Sequence, residues 1–127
     1  LSHDSEYIKA YELIVNVYIE TNDFITAKSY ALEGVAVNSR SSILFSQLAF
    51  LENENKLYNS AVEFADKALS IDRRFGPALI ELARANVYLC NSVAAAESFK
   101  AAKRYDRSQV AKLEKWATEH NKTVCKK

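Results

Sequence analysis

The stretch Gly76–Gln109, GPALIELARANVYLCNSVAAAESFKAAKRYDRSQ, decides the fold, because the preceding stretch Ser42–Phe75 aligns with it over 34 residues without a gap. The segment Ile8–Ser41 keeps the same register one period earlier. A fixed period of this length is typical of stacked helical units, none of which can bury its apolar face alone. The sequence therefore predicts one domain over residues 1–127, built from repeats at 8–41, 42–75 and 76–109.

Small and apolar residues recur in matching columns of the three units. The second half of each unit carries two columns of tiny residues, namely Ala27, Ala61 and Ala95, and then Gly34, Ala68 and Ala102. The first half carries two apolar columns three residues apart, namely Tyr11, Phe45 and Leu79, and then Ile14, Leu48 and Leu82. This spacing indicates helix faces. Two glycines and one proline provide few turns for a sheet, so the predicted class is all-α.

These columns resemble the tetratricopeptide repeat (TPR) family, whose 34-residue unit carries an aromatic residue, Leu-Gly, Tyr, and then Ala, Phe, Ala and Pro. The resemblance is strongest in Phe45-x2-Leu48-Ala49, Tyr58-x2-Ala61 and Ala95-x3-Phe99-x2-Ala102. The chain departs from the pattern in the terminal Pro, which no unit has, and in the Tyr column, which reads Tyr18, Glu52 and Asn86. The resemblance implies a right-handed superhelical stack of antiparallel helix pairs, an α-solenoid.

The period continues beyond Gln109. Leu113, Trp116 and Ala117 occupy the core positions of a further first helix, with polar residues between them. This pattern predicts a capping helix over about residues 108–121, started by Asp106 or Ser108 as N-cap. The tail over residues 122–127 is expected to fray.

Charge and cysteine content point away from several classes of protein. Seventeen Lys and Arg against sixteen Asp and Glu give a net charge of +1, so no overall field attracts nucleic acid or anionic lipid. No apolar run approaches the ~20 residues of a spanning helix, so we expect no membrane insertion. A helical domain of this size does not need a disulfide, and Cys90 is expected to be a small core residue. This favours a reducing cytoplasmic or nuclear setting, although a chain that starts at Leu1 is expected to be a fragment or processed form that lacks any targeting signal.

Catalytic and metal-binding patterns are missing from the sequence. His3 and His120 are expected to be exposed near the chain ends, without ligand partners at metal-site spacing, so no metal or other cofactor is implied. Cys90 lacks an activating neighbour, and two glycines leave no phosphate loop, so an enzyme is not expected. The basic residues Lys100, Lys103 and Arg107 are interspersed with carboxylates and lack an exposed aromatic residue, which favours a solvated face. RNA binding stays a minor alternative.

The resemblance implies that the first helix of each unit lines a concave groove. The matching positions are Lys9, Glu12, Asn16, Ile19, Glu20, Ile43, Ser46, Gln47, Phe50, Asn53, Glu54, Glu81, Arg84 and Tyr88. Leu13, Ile80 and Val87 match as well, although burial against a neighbouring unit explains Ile80 and Val87 equally well. Apolar residues rimmed by charge are typical of protein-binding surfaces. The predicted function is a protein–protein interaction module, an adaptor or scaffold.

The charges of the groove narrow the partner. TPR domains that hold the acidic C-termini of heat-shock chaperones use a clamp of Lys, Asn, Asn, Lys and Arg, and the matching positions here are Glu12, Asn16, Gln47, Pro77 and Glu81. The comparison implies a peptide or amphipathic helix with apolar anchors and some positive charge, and not an acidic chaperone tail. An alternative stays open, in which the chain is a structural segment of a longer array or assembly. Its end repeats would then pack or self-associate, led by Tyr7, Ile8 and Tyr11.

Overall fold

A computed structural model describes residues 2–126 of the chain, and the side chains of residues 6–126, as seven α-helices followed by a short π-helix. The expectation for His3 concerns a side chain outside the described part. The α-helices are α1 Ser2–Glu20, α2 Phe24–Val37, α3 Ser42–Glu54, α4 Tyr58–Ile71, α5 Gly76–Tyr88, α6 Ser92–Ala102 and α7 Arg107–His120. The pairs α3–α4 and α5–α6 begin at Ser42 and Gly76, the first residues of the second and third periods, whereas α1 begins at Ser2, ahead of Ile8. The helix α7 follows the third pair.

The period is also visible in the backbone turns within the pairs. Asn22, Lys56 and Cys90 adopt φ values of 63°, 63° and 60°. These three residues stand at the same position of successive units, and each reverses the chain through the left-handed region. Because side chains rarely adopt this conformation outside turns, its recurrence every 34 residues is independent support for the repeat.

The helices form two layers. Each first helix of a pair contacts the first helix of the next pair, so α1, α3 and α5 lie side by side, with α7 next to α5. Each second helix packs against its own partner and against the first helix of the following unit. The layer of first helices, which we call the inner layer, therefore presents one continuous face.

Small residues allow the two layers to approach closely. Ala27, Ala61 and Ala68 are completely buried, as the columns of tiny residues predict. A Cβ atom added to Gly34 would lie 2.7 Å from Leu44 Cδ1, closer than such carbons can pack. The tight contact of α2 with α3 therefore depends on the absence of a side chain at position 34.

The C-terminal helix α7 closes the third unit, with Asp106 as its N-cap: the Asp106 Oδ1 accepts a hydrogen bond from the Gln109 amide at 3.0 Å. Leu113, Trp116 and Ala117 pack against the core of that unit, but the fully buried residue of α7 is Val110, which the sequence analysis did not single out. No helix in the described part of the chain combines the length and the hydropathy that a bilayer crossing requires.

The structure overturns the expectations for the tail and the cysteines. The chain continues from α7 as a π-helix over Asn121–Cys125 where fraying was expected. Cys125 forms a disulfide with Cys90, with the two Cα atoms 5.5 Å apart. Cys90 is an exposed turn residue and not a core residue, because its left-handed backbone directs the side chain out of the turn towards the tail. Because the two cysteines are paired, cysteine content gives no reason to expect a reducing compartment.

Candidate functional site

The positions expected to line the groove differ in how accessible they are. Lys9, Asn16, Glu20, Ile43 and Glu54 are exposed, and Ser46 and Asn53 are buried. The half-buried members are Glu12, Ile19, Gln47, Phe50, Glu81, Arg84 and Tyr88. Ile80 and Val87 are buried, which settles the two readings of these residues in favour of packing. Ser46 donates its hydroxyl hydrogen to the Ile43 carbonyl at 2.8 Å, so it offers nothing to a ligand.

Side-chain hydrogen bonds join α1 to α3 across the inner layer. Gln47 Nε2 donates to the carbonyl oxygen of Glu12 at 3.1 Å. Ser41 Oγ donates to Glu12 Oε2 at 2.8 Å, so this carboxylate is held at the start of α3. Asn16 Nδ2 donates to Glu20 Oε1 at 3.1 Å on the exposed surface, and neither side chain bonds to another helix in the described part of the chain. They are therefore the polar pair of α1 that is most accessible to a partner.

A charged network joins α3 to α5. Arg84 Nη1 donates to Glu81 Oε1 at 2.7 Å, and Arg84 Nη2 donates to Glu54 Oε2 at 2.8 Å. Asn53 Nδ2 donates to both the carbonyl and the carboxylate of Glu81, each at 3.0 Å. The guanidinium thus lies between two carboxylates, and the amide nitrogen of Asn53 is engaged in contacts with α5.

Burial and charge act in opposite directions on this network. Burial raises the pKa of the Glu81 carboxyl above its ordinary value, although Arg84 and Asn53 act to lower it. Burial acts to lower the pKa of Arg84, but the Glu81 and Glu54 carboxylates raise it overall. Arg84 is therefore a fixed positive charge, and the inner layer is less negative than its carboxylates alone suggest.

The raised pKa of Glu81 predicts a pH-dependent difference between the protein and its Glu81→Gln variant. Because the folded state binds a proton at Glu81 more readily than the unfolded chain, this group stabilises the fold below its ordinary pKa and loses that contribution as pH rises through the raised value. As the pH is lowered from 7 to 4.5, the free energy of unfolding of the protein should therefore rise relative to that of the Glu81→Gln variant. Urea unfolding of both proteins at the two pH values measures it. A constant difference would contradict the assignment.

Phe50 is the aromatic residue at the centre of the inner layer. The guanidinium carbon of Arg84 lies 5.7 Å from the centre of its ring, and Phe24 contacts the ring edge-on at 5.9 Å between centroids. Ile43, about two helical turns earlier on the same face of α3, is 40% exposed. The inner layer therefore offers two apolar positions along α3, an exposed aliphatic group and a partly exposed ring, with charged groups around them.

Tyr88 belongs to an aromatic cluster that the sequence analysis did not foresee. Its ring stacks on Tyr58 at 4.4 Å and contacts Trp116 at 5.2 Å and His120 at 5.4 Å. Burial, and then the neighbouring Tyr88, raise the pKa of Tyr58. His120 is half-buried within this cluster, so the expectation that it is exposed is wrong. Tyr88 therefore fastens the end of α5 to α7 and presents only part of its ring to the groove.

The departure from the family pattern at Glu52 has a structural explanation. Glu52 is buried at the Tyr position of the second unit, and its Oε1 forms an ion pair with Lys28 Nζ on α2 at 2.8 Å. In the first unit, Tyr18 keeps the aromatic residue and stacks on Tyr30 at 5.7 Å. The same column therefore joins neighbouring helices by two different interactions, and neither lies in the groove.

The basic residues between the second and third units line a hollow in which they stay exposed to solvent. It has a volume of about 540 Å³, and its lining includes Arg73, Arg74, Lys100, Arg104 and Tyr105. The exposed ring of Tyr105 packs directly on Gly76, where a Cβ would overlap it. The statement that no exposed aromatic residue accompanies these cations is therefore wrong. Among the described residues, no three His, Cys, Asp or Glu side chains are grouped as metal ligands.

Structural similarity to known proteins identifies the fold of this chain. No family model matches the sequence, and no curated protein does. Solved structures match over most of the chain, and they are domains of the α-solenoid class. The TPR domain of Arabidopsis OM64 superposes with a TM-score of 0.82 at 18% identity, covering 95% of this chain and 99% of its own.

Two further matches carry bound peptides. The TPR2B domain of yeast Sti1, solved as an Hsp70 complex, gives a TM-score of 0.81 at 19% identity, over 90% of this chain and 98% of its own. The first TPR domain of Spaghetti (RPAP3), bound to the HSP90 peptide SRMEEVD, gives 0.82 at 13% identity, over 91% and 93%. The fold of this chain is therefore the TPR fold, a right-handed stack of antiparallel helix pairs.

Proposed function

We propose that this chain is a protein-interaction module that binds a segment of a partner protein along the inner layer of α1, α3 and α5. The observation that carries the proposal is the pair of accessible apolar side chains on one face of α3, the exposed Ile43 and the half-exposed Phe50, in a layer whose hydrogen bonds and ion pairs already hold its helices in place. A face that is ordered before binding loses less conformational entropy when a ligand is bound. Peptide complexes of structurally similar TPR domains support the same class of function.

The charges around this apolar surface favour a segment that combines an apolar side chain with a positive charge. Glu20 and Glu54 are exposed at the C-terminal ends of α1 and α3, at the same position of successive units, and Lys9 is an exposed cation of the set. Arg84 does not provide an open anion site, because both ends of its guanidinium are already bonded to carboxylates. Complementary charge steers partners and excludes others, so a basic or neutral peptide, extended or helical, fits this face better than an acidic one.

Peptides selected on the intact chain from a displayed random library test the proposal. Ile43→Lys changes the exposed apolar residue of the inner layer, and Ile25→Lys is the matched control, since Ile25 is more exposed still and lies on α2 in the other layer. We expect selected peptides to lose at least about tenfold in affinity with Ile43→Lys, or 1.4 kcal/mol, and to be unaffected by Ile25→Lys. Equal effects of the two variants would reject the inner layer as the binding face.

An acidic chaperone-type tail provides a second, sharper prediction. The peptide SRMEEVD should not bind the original chain measurably, because Glu12 occupies a position that is cationic in the chaperone clamp. It should bind a Glu12→Lys, Glu20→Lys variant at least about tenfold more tightly. Glu20 is chosen over Glu81 because a lysine at 81 would stand beside the half-buried Arg84. Tight binding of SRMEEVD to the original chain, measured by fluorescence anisotropy, would show that the charge argument is wrong.

A further inference from the structure

A second surface, distinct from the groove, runs along the outer side of α1. Tyr7, Ala10, Ile14 and Val17 follow one another at intervals of three, four and three residues, so they form one stripe along the helix, which we call the α1 stripe. Tyr7 is 59% exposed, Ile14 37% and Val17 54%. The neighbouring Leu13 is exposed as well. Ile8 and Tyr11, expected from the sequence to lead this edge, belong instead to the core and its margin.

The later units show what covers the matching positions elsewhere in the chain. One period later the same columns hold Ser41, Leu44, Leu48 and Leu51 on α3. There, Leu44 and Leu48 are completely buried and Leu51 is 2% exposed. They are covered by the preceding helix pair, since they share one core cluster with Ala27 and Ala31 of α2. The α1 stripe is therefore the surface on which, at every later position of the stack, another helix pair lies.

The composition of the stripe agrees with this role. One further period on, α5 carries Phe75, Ala78, Leu82 and Ala85, which matches the aromatic residue, Ala and branched aliphatic residue of Tyr7, Ala10 and Ile14 and has an apolar residue opposite Val17 in the alignment. In α5 this row is packed against α4, and Ala78 and Ala85 are completely buried. The α1 stripe thus retains the apolar pattern of a covered face where a solvated helix end would be expected to carry polar residues.

We propose that the α1 stripe is a docking surface for a helix pair of a partner protein, one of whose helices presents small residues at i, i+4 and i+7. Ala27, Ala31 and Gly34 of α2 show this complement, because they allow the close approach that buries the α3 row. The partner would extend the stack by one unit at the α1 end. This surface is independent of the groove and uses none of the residues assigned to it.

A second copy of the chain does not provide this complement. Its small-residue columns are already covered within the described part of the molecule: Ala27, Ala61, Ala68 and Ala102 are completely buried, and Ala95 is nearly so. The opposite end of the stack is closed by α7, whose outer residues Lys112, Lys115 and Glu119 are exposed and charged. An apolar stripe gains little from contact with such a face, so a different helix pair is the better fit.

A helix pair of known structure can serve as the probe. The segment 42–74 contains α3 and α4, the pair that covers the matching row of α5, and joining it directly ahead of Tyr7 keeps the 34-residue period. This extended chain replaces residues 1–6. The controls are the extended chain with Ile14→Lys and Val17→Lys, and the unextended chain with and without the same two changes. The side chains of Ile14 and Val17 are substantially exposed, so the unextended chain should fold normally with lysine at both positions.

Thermal unfolding followed by circular dichroism distinguishes the outcomes. We expect the extension to raise the melting temperature by at least about 4 °C when the stripe is intact and to raise it little or not at all when the stripe carries the two lysines. An equal rise in both, or an extension that stays unfolded in both, would overturn the proposal. Light scattering of the unextended chain provides a further test. A dimer that dissociates when the two lysines are introduced would also overturn the proposal, because the stripe would then bind a second copy.

Discussion

Leu48→Ala should remove about 3 to 4 kcal/mol from the free energy of unfolding, which lies within the range of about 2.7 to 5 kcal/mol measured for buried leucines. Leu48 is completely buried where α3 packs against the first helix pair, so its loss leaves a cavity between two repeats and not within one. Since each unit depends on its neighbours for most of its buried surface, the effect should spread to both. A domain of this size has only about 5 to 15 kcal/mol of total stability.

Urea unfolding provides the measurement, with Leu13→Ala as the matched control. Leu13 carries the same side chain but is 67% exposed on α1, so its truncation should change the free energy by less than about 0.5 kcal/mol. If the two substitutions had similar effects, Leu48 would not be at the joint between repeats, and the 34-residue register of the helices would be wrong.

Removal of the disulfide is expected to have the second large effect. The bond joins residues separated by 35 positions and fastens the π-helical tail to the turn of the third unit. Replacing both cysteines, as Cys90→Ser with Cys125→Ser, should cost about 4 kcal/mol, the value expected for a disulfide that closes a loop of this length. The loss should be concentrated at α7, because the bond holds the segment that follows it.

The single tryptophan reports on this region. Trp116 lies on α7 in contact with Tyr88 and His120, so loosening of α7 should shift its fluorescence to longer wavelength before the rest of the chain unfolds. Reducing agent should reproduce the effect in the original protein and should leave the variant with both cysteines replaced unchanged. Titration of two free thiols in the folded, air-oxidised protein would contradict the pairing.

Periodicity made the fold predictable from the sequence. Each column of the repeat can be compared in three copies. Tiny residues in all three, at Ala27, Ala61 and Ala95, indicate a close contact between helices even where the helix propensities of the single segments are ordinary. The turn residues and the position of the capping helix follow from the same register. Periodicity could not predict the contacts of a residue that differs between units. Glu52, which forms an ion pair with Lys28, is an example.

The cysteine pair and the aromatic cluster were missed for a related reason. Both depend on contacts between α7 or the tail and α5, and a last helix without a following unit has no repeated column to compare. One signal was nevertheless present: Cys125 stands one residue beyond the position that a fourth unit would give to Cys90. Stacked repeats bring such matching positions to neighbouring places.

The sequence could predict which residues lie on the first helices, but it could not predict how much of each side chain is exposed. The sequence identifies which residues fall on the first helices, and the structure then separates them by what their neighbours leave open. Asn53 and Ser46 are bonded within the layer, whereas Asn16 and Ile43 remain accessible. Phe50 is a less suitable probe than Ile43, because truncating it would also remove its packing against Phe24.

The central claim is that the inner layer of α1, α3 and α5 binds a partner segment. Backbone amide NMR of the intact chain, titrated with the tightest peptide selected from the displayed library, tests it most directly. We predict that shifts will be concentrated on α1 and α3 around Asn16, Ile43 and Phe50, and on the facing residues of α5. Shifts concentrated instead on α2, α4 and α6 would contradict the claim.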